Sequence, residues 1–115
     1  MTAYLLAQGD LLIERVSDVM PSGVIDKRDT DGACVLAEGE TTGHRHAIHD
    51  RVTYFRDDGL ARDLPDDLYV GHVRVDSSFA TVTHEEHSAL TLPRGTYRVR
   101  RQRQLEPRDV QLVAD

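Results

Sequence analysis

Short β-favouring runs broken by Gly, Pro and Asp recur along the whole chain, and no stretch sustains the 3.6-residue apolar period of an amphipathic helix. That punctuation constrains the fold more than any other feature. Residues 4–8, 10–16, 33–38, 44–49, 51–55, 68–75, 79–84, 90–92 and 96–105 read as strands. Gly9-Asp10, residues 39–43, Asp57-Asp58-Gly59, Asp76-Ser77-Ser78 and Pro93-Arg94-Gly95 read as the turns or bulges between them. Residues 18–32 are polar and rich in turn formers, so they form a long loop with a short strand around Val24-Ile25. Residues 110–114 make a last edge strand or a short helix. The expectation is an all-β domain spanning residues 1–115, a small barrel or sandwich of about 8–10 short strands.

Composition narrows the function classes. The chain has 115 residues, enough for one modest core, and a formal charge of −6, which disfavours a whole-surface footprint for nucleic acid or anionic lipid. Four Tyr, two Phe and no Trp leave little aromatic surface for base stacking. Cys34 is the single cysteine, which excludes an intrachain disulfide and any multi-cysteine zinc site; flanked by Ala33, Val35 and Leu36 it reads as a buried hydrophobe. No segment has the length and apolarity of a membrane span, and no signal peptide is evident, so a cytoplasmic location is expected.

The histidines carry the functional signal. Four of the six fall in two motifs, His44-Arg45-His46 and His84-Glu85-Glu86-His87. On a strand His44 and His46 share a face, because side chains repeat every two residues. The acids and Ser88 favour a turn over residues 84–88, which brings His84 and His87 together. HxH and HxxH then supply four imidazole ligands for Zn, Fe, Ni or Cu, with Glu85 as reserve ligand or proton acceptor. Glu38, Glu40, Thr41, Thr42, Thr83 and the unused member of Glu85/Glu86 are candidate partners to orient the rings. The competing reading is a solvated strand face and a polar turn. A metal-free histidine acid/base pair with Arg45 or Arg51 is a further alternative. His49 and His72 read as structural.

The closing run Tyr97-Arg98-Val99-Arg100-Arg101-Gln102-Arg103 alternates apolar and basic positions before arginines interrupt the apolar face. One reading is a surface for a protein or RNA partner, which would make the chain a non-catalytic interaction or assembly accessory. The other is an exposed strand whose charges pair with Asp and Glu and discourage edge association. A long exposed final strand is also compatible with a homodimer. Whether the chain is an enzyme stays open.

Taken together, residues 8–13 (QGDLLI), 42–46 (TGHRH), 83–87 (THEEH) and 92–104 (LPRGTYRVRRQRQ) resemble a group of short, generally uncharacterised bacterial and phage proteins, a resemblance that carries no activity with it. The chain is more weakly similar to the cupins, through His44-Arg45-His46 and Pro93-Arg94-Gly95. That similarity implies a metal inside or at the rim of a β-barrel. No Glu follows His46 at the cupin interval, and HEEH precedes the Pro-x-Gly turn instead of following it.

Overall fold

The computed structural model describes residues 5–39 and 43–102. Within them every strand pairing is antiparallel, among seven strands: β1 (Leu5–Gln8), β2 (Leu11–Val16), β3 (Cys34–Glu38), β4 (Arg45–Ile48), β5 (Thr53–Phe55), β6 (Tyr69–Thr83) and β7 (Leu90–Arg101). A single 3₁₀ turn, Asp58–Leu60, is capped by the Asp57 carboxylate, which accepts from the Gly59 N–H. The sheet order is β1-β2-β7-β6-β4-β3, with β5 pairing β6 beside that path. Among the described residues no backbone pairing closes the sheet. No helix among the described residues is long and apolar enough to cross a membrane.

Seven strands replace the expected 8–10 because two of the expected turns lie inside strands. Residues 68–75 and 79–84 form one strand, β6, and residues 90–92 and 96–105 form another, β7, as far as Arg101. The two interruptions face each other. Val75 pairs with Gly95 and Phe79 with Pro93, so Asp76, Ser77 and Ser78 stand opposite Arg94 alone. This is a bulge that bends both strands at one level, and it uses the same residues a turn would use. Gly95 sits at φ 152° with the Arg15 guanidinium packed against its Cα, where a Cβ would lie 2.8 Å from Nη2.

Other boundaries moved less. Val24 makes an isolated bridge to Phe55 and not a strand. His49 lies just beyond β4, while Arg51 and Val52 precede β5. Residues 110–114, Arg103, Glu40, Thr41 and Thr42 lie outside the described residues.

The alternation read from sequence sets the core. Leu11, Ile13, Ile48, Val73, Val75, Val82, Leu92, Tyr97 and Val99 are fully or almost fully buried on the inner face. Tyr97 brings a hydroxyl inside and satisfies it by donating to the Pro93 carbonyl at 2.5 Å. Cys34 is buried, and desolvation pushes its thiol pKa up, which suits packing and not nucleophilic chemistry. His72 is a core residue, stacked on Phe55 at 5.1 Å, with Nδ1 2.7 Å from the Tyr69 hydroxyl.

Over Thr96–Arg101 β7 lies between β2 and β6, whereas the pairings of Leu90–Gly95 among the described residues are with β6 alone. Three of the four arginines of β7 form ion pairs within the chain: Arg98 with Glu14 and Asp63, Arg100 with Glu14, and Arg101 with Asp10. Arg98 also donates to the Leu60 carbonyl, tying the segment after β5 onto the outer face of the sheet.

Candidate histidine cleft

Three pieces of chain meet around one cleft. The first is the β1–β2 hairpin turn. Gln8 pairs with Leu11, leaving Gly9 and Asp10 as a two-residue loop, and Gly9 adopts φ 60°. Glycine at the first loop position is what a type II′ hairpin turn requires. The turn is held by a bond from the Gln102 N–H to the Asp10 carbonyl at 2.8 Å. The second piece is the start of β4, and the third is the β6–β7 connection. Ala47 pairs with Thr83 and Ile48 with Val82, which sets His46 beside the start of that connection.

The two-residue period holds at the first motif. His44 and His46 both line a cleft of about 120 Å³, together with Asp10, Ala37, Glu38, Gly39, His84, Glu86 and Arg101. Arg45 faces away and pairs with Asp29 and Asp31. The bend at residues 84–88 brings the second pair together, with the rings of His84 and His87 4.7 Å apart. His84 also lies 4.4 Å from His46 and edge-on to His44 at 5.7 Å. His87 is placed behind the cleft wall against the hairpin turn: a Cβ on Gly9 would lie 2.9 Å from its Nε2 and 3.3 Å from Cε1 of His46.

Glu85 and Glu86 exchange their expected places. Glu85 accepts the Arg45 backbone N–H at 2.9 Å, a bond that holds its carboxyl pKa below the usual range, and it borders a separate recess with His49 and Thr83. Glu86 lines the cleft and accepts from Nδ1 of His44 at 2.5 Å. The carboxylate beside the histidines is therefore Glu86.

Gln8 organises the interior of the site. It is fully buried, and its amide nitrogen donates to the carbonyls of Val82 at 3.1 Å and Ser88 at 2.9 Å. Those two bonds fix the amide orientation, so Oε1 faces Nδ1 of His46 at 2.9 Å and must accept from it. The proton of the neutral His46 ring is thereby placed on Nδ1. Nε2 then carries a lone pair, and 3.4 Å from it stands Oδ1 of Asp10.

Burial, reinforced by the neighbouring His84, lowers the His46 pKa to about 4, although Asp10 opposes the shift. The ring is therefore neutral at pH 7. His84 has the opposite arrangement: its Nδ1 accepts the Glu86 N–H at 3.0 Å, so the neutral ring carries its proton on Nε2.

Gln8 and Asp10 were not among the residues singled out from the sequence. A glutamine ending an otherwise apolar strand was the available signal for Gln8, whereas Asp10 is indistinguishable from any hairpin aspartate. Among the described residues no three His, Cys, Asp or Glu side chains are gathered around one point closely enough to hold a metal ion. The cleft instead holds two pre-oriented imidazoles, each facing a carboxylate: His44 faces Glu86 and His46 faces Asp10.

No curated protein and no solved structure matches the chain. A family match spans most of it, including every residue of the cleft: the chain belongs to the family described as Domain of unknown function (DUF8820), which matches residues 7–102.

Proposed function

We propose that the cleft binds a borderline divalent metal ion, Zn, Fe, Ni or Cu, and that His44, His46 and Asp10 are its protein ligands. The observation that carries this reading is the apposition of His46 Nε2 and Asp10 Oδ1. With Gln8 holding the proton on Nδ1, both facing atoms are electron-pair donors, and a lone pair opposite a carboxylate oxygen is repulsive unless a cation lies between them. A proton is one such cation, but burial disfavours it there. A metal ion satisfies both donors at once.

The surroundings fit the same reading. Metal-bound histidines commonly donate their other ring N–H to an amide oxygen or carboxylate, which sets the tautomer and the ring plane. Gln8 does this for His46 and Glu86 does it for His44. His46 is locked by burial, while the side chains of His44 and Asp10 are 33% and 51% exposed and can adjust around an ion. Imidazole with carboxylate is a donor set for borderline metals and not for calcium, which takes oxygen ligands. Three protein ligands leave a coordination position for water or substrate, the arrangement of a catalytic metal.

The test is metal content of untagged protein purified without chelator, beside a His44→Ala/His46→Ala variant checked for folding by circular dichroism. Near-stoichiometric metal lost in the variant is the expected result. A wild-type chain that holds no metal, even after incubation with each of the four ions, would overturn the reading.

A further inference from the structure

We propose that the open side of the cleft takes a small oxyanion, a carboxylate or phosphate group bound to the metal and gripped from the protein by Arg101 and His84. This rests on the metal reading above, and it assigns His84 and Arg101 to the ligand instead of to the ion.

His84 cannot serve as the sequence alone suggests without giving up a contact. Its Nδ1 is occupied by the Glu86 N–H, so the nitrogen left to face a ligand is Nε2, and in the neutral ring that atom is a hydrogen-bond donor. The imidazole sits on the cleft wall 4.4 Å from the ring of His46. It is close enough to address a molecule bound at the metal, and it has the wrong tautomer to ligate the metal through Nε2.

Arg101 supplies the second donor. It is the last residue of β7, half-buried with its side chain 37% exposed, and it lines the same cleft. Asp10 takes only Nη1, through Oδ2 at 2.7 Å, while the other oxygen of that carboxylate faces His46. Each oxygen of Asp10 thus has its own partner, and among the described residues no other side-chain bond of the Arg101 guanidinium is formed, so the remainder of the fork can face a ligand. A planar fork of N–H donors matches the paired oxygens of a carboxylate or phosphate. The cleft is small, about 120 Å³, and suits a small anion.

The experiment uses the full chain loaded with Co(II), whose visible spectrum reports its ligands, titrated separately with oxalate and with inorganic phosphate. Two variants are compared with wild type. His84→Asn keeps an acceptor for the Glu86 N–H but removes the Nε2 donor, and Arg101→Lys keeps a cation for Asp10 but removes the fork. Both are expected to bind Co(II) as wild type does, while the dissociation constant for the preferred anion rises about tenfold or more. The preference between oxalate and phosphate tells which oxyanion the cleft suits.

A loaded wild type that responds to neither anion, or variants that respond as wild type does, would overturn the proposal and leave the metal reading standing. A wild type that takes up no Co(II) ends both, and is seen before any anion is added. The two variants act at separate residues, so misfolding of one leaves the other to decide.

Discussion

Gln8 Oε1 and His46 Nδ1 lie 2.9 Å apart across a gap that no backbone pairing bridges, since β1 and β4 are not neighbours in the sheet. With its other bonds to Val82 and Ser88, the Gln8 amide joins the hairpin β1–β2 to the end of β6 and the connection after it. One buried amide therefore both ties β1 to β4 and the end of β6 and sets the tautomer of a candidate ligand.

Gln8→Leu follows directly as a test. The substitution keeps the volume but takes the partner from the Val82 carbonyl and the His46 N–H, both buried, and from the part-buried Ser88 carbonyl; a buried group whose bond is not replaced costs about 1–3 kcal/mol. Urea unfolding should show a loss of at least about 2 kcal/mol. Metal titration should show affinity weakened about 10- to 100-fold, the usual effect of removing a partner that orients a ligand. A variant that keeps wild-type metal affinity would remove the orienting role.

The pH dependence of the metal-free protein tests the burial of His46. A histidine whose pKa is lowered in the folded state, here from 6.5 to about 4, binds more protons when unfolded. Its contribution to stability is fully present above pH about 6.5 and is lost as the pH falls toward about 4. The shift corresponds to on the order of 3 kcal/mol over that window. His72, lowered chiefly by burial, acts with the same sign. Urea midpoints measured from pH 7.5 to 4 should therefore fall steeply in wild type and less steeply in His46→Gln, with the residual slope owed to His72. Equal slopes would show that His46 does not carry the effect.

Parts of this fold and site were legible in the sequence because they depend on a period of two. Tyr97 and Val99 inward with Arg98 and Arg100 outward, and His44 with His46 on one face, follow from alternation alone. The bulge at Asp76-Ser77-Ser78 against Pro93-Arg94-Gly95 was not legible as a bulge, since those residue types favour a reversal and a bend equally. Only the pairing of Val75 with Gly95 and Phe79 with Pro93 distinguishes them. Gln8 and Asp10 escaped for a different reason. Their roles depend on what the fold brings opposite them, from 38 residues away in the case of His46 and 91 in the case of Arg101. The choice of Glu86 over Glu85 turns on the direction of one bend, which no local pattern encodes.

The hairpin turn predicts a double effect for Gly9→Ala. Its φ of 60° costs an L-residue about 1–2 kcal/mol, and the added methyl meets His87 Nε2 at 2.9 Å. The variant should lose more stability than the backbone strain alone explains. In the double variant Gly9→Ala/His87→Ala the steric part should vanish, leaving the backbone part. The coupling in this double-mutant cycle, read by urea unfolding, measures how tightly the turn is packed on His87. Strict additivity would mean that the imidazole simply moves aside.

Arg98 and Arg100 lie on the same face of β7 and share Glu14, yet they should differ sharply on truncation. Arg98, with its side chain 12% exposed, bonds both oxygens of Glu14, both oxygens of Asp63 and the carbonyl of Leu60. Arg100, 29% exposed, makes one bond to Glu14 at 3.0 Å. Arg98→Ala leaves half-buried Glu14 with the single bond from Arg100 and takes from Asp63 and the Leu60 carbonyl the donor that ties them to the sheet, which should cost about 2 kcal/mol and be little affected by salt. Arg100→Ala should cost less than about 1 kcal/mol, because Glu14 keeps Arg98 and the lost pair is partly solvated. Urea unfolding of both variants at low and high ionic strength provides the comparison. A large difference would show that Arg98 clamps the segment around Leu60 and Asp63 onto the sheet, whereas equal, salt-sensitive losses would mean that the two arginines act only through surface charge.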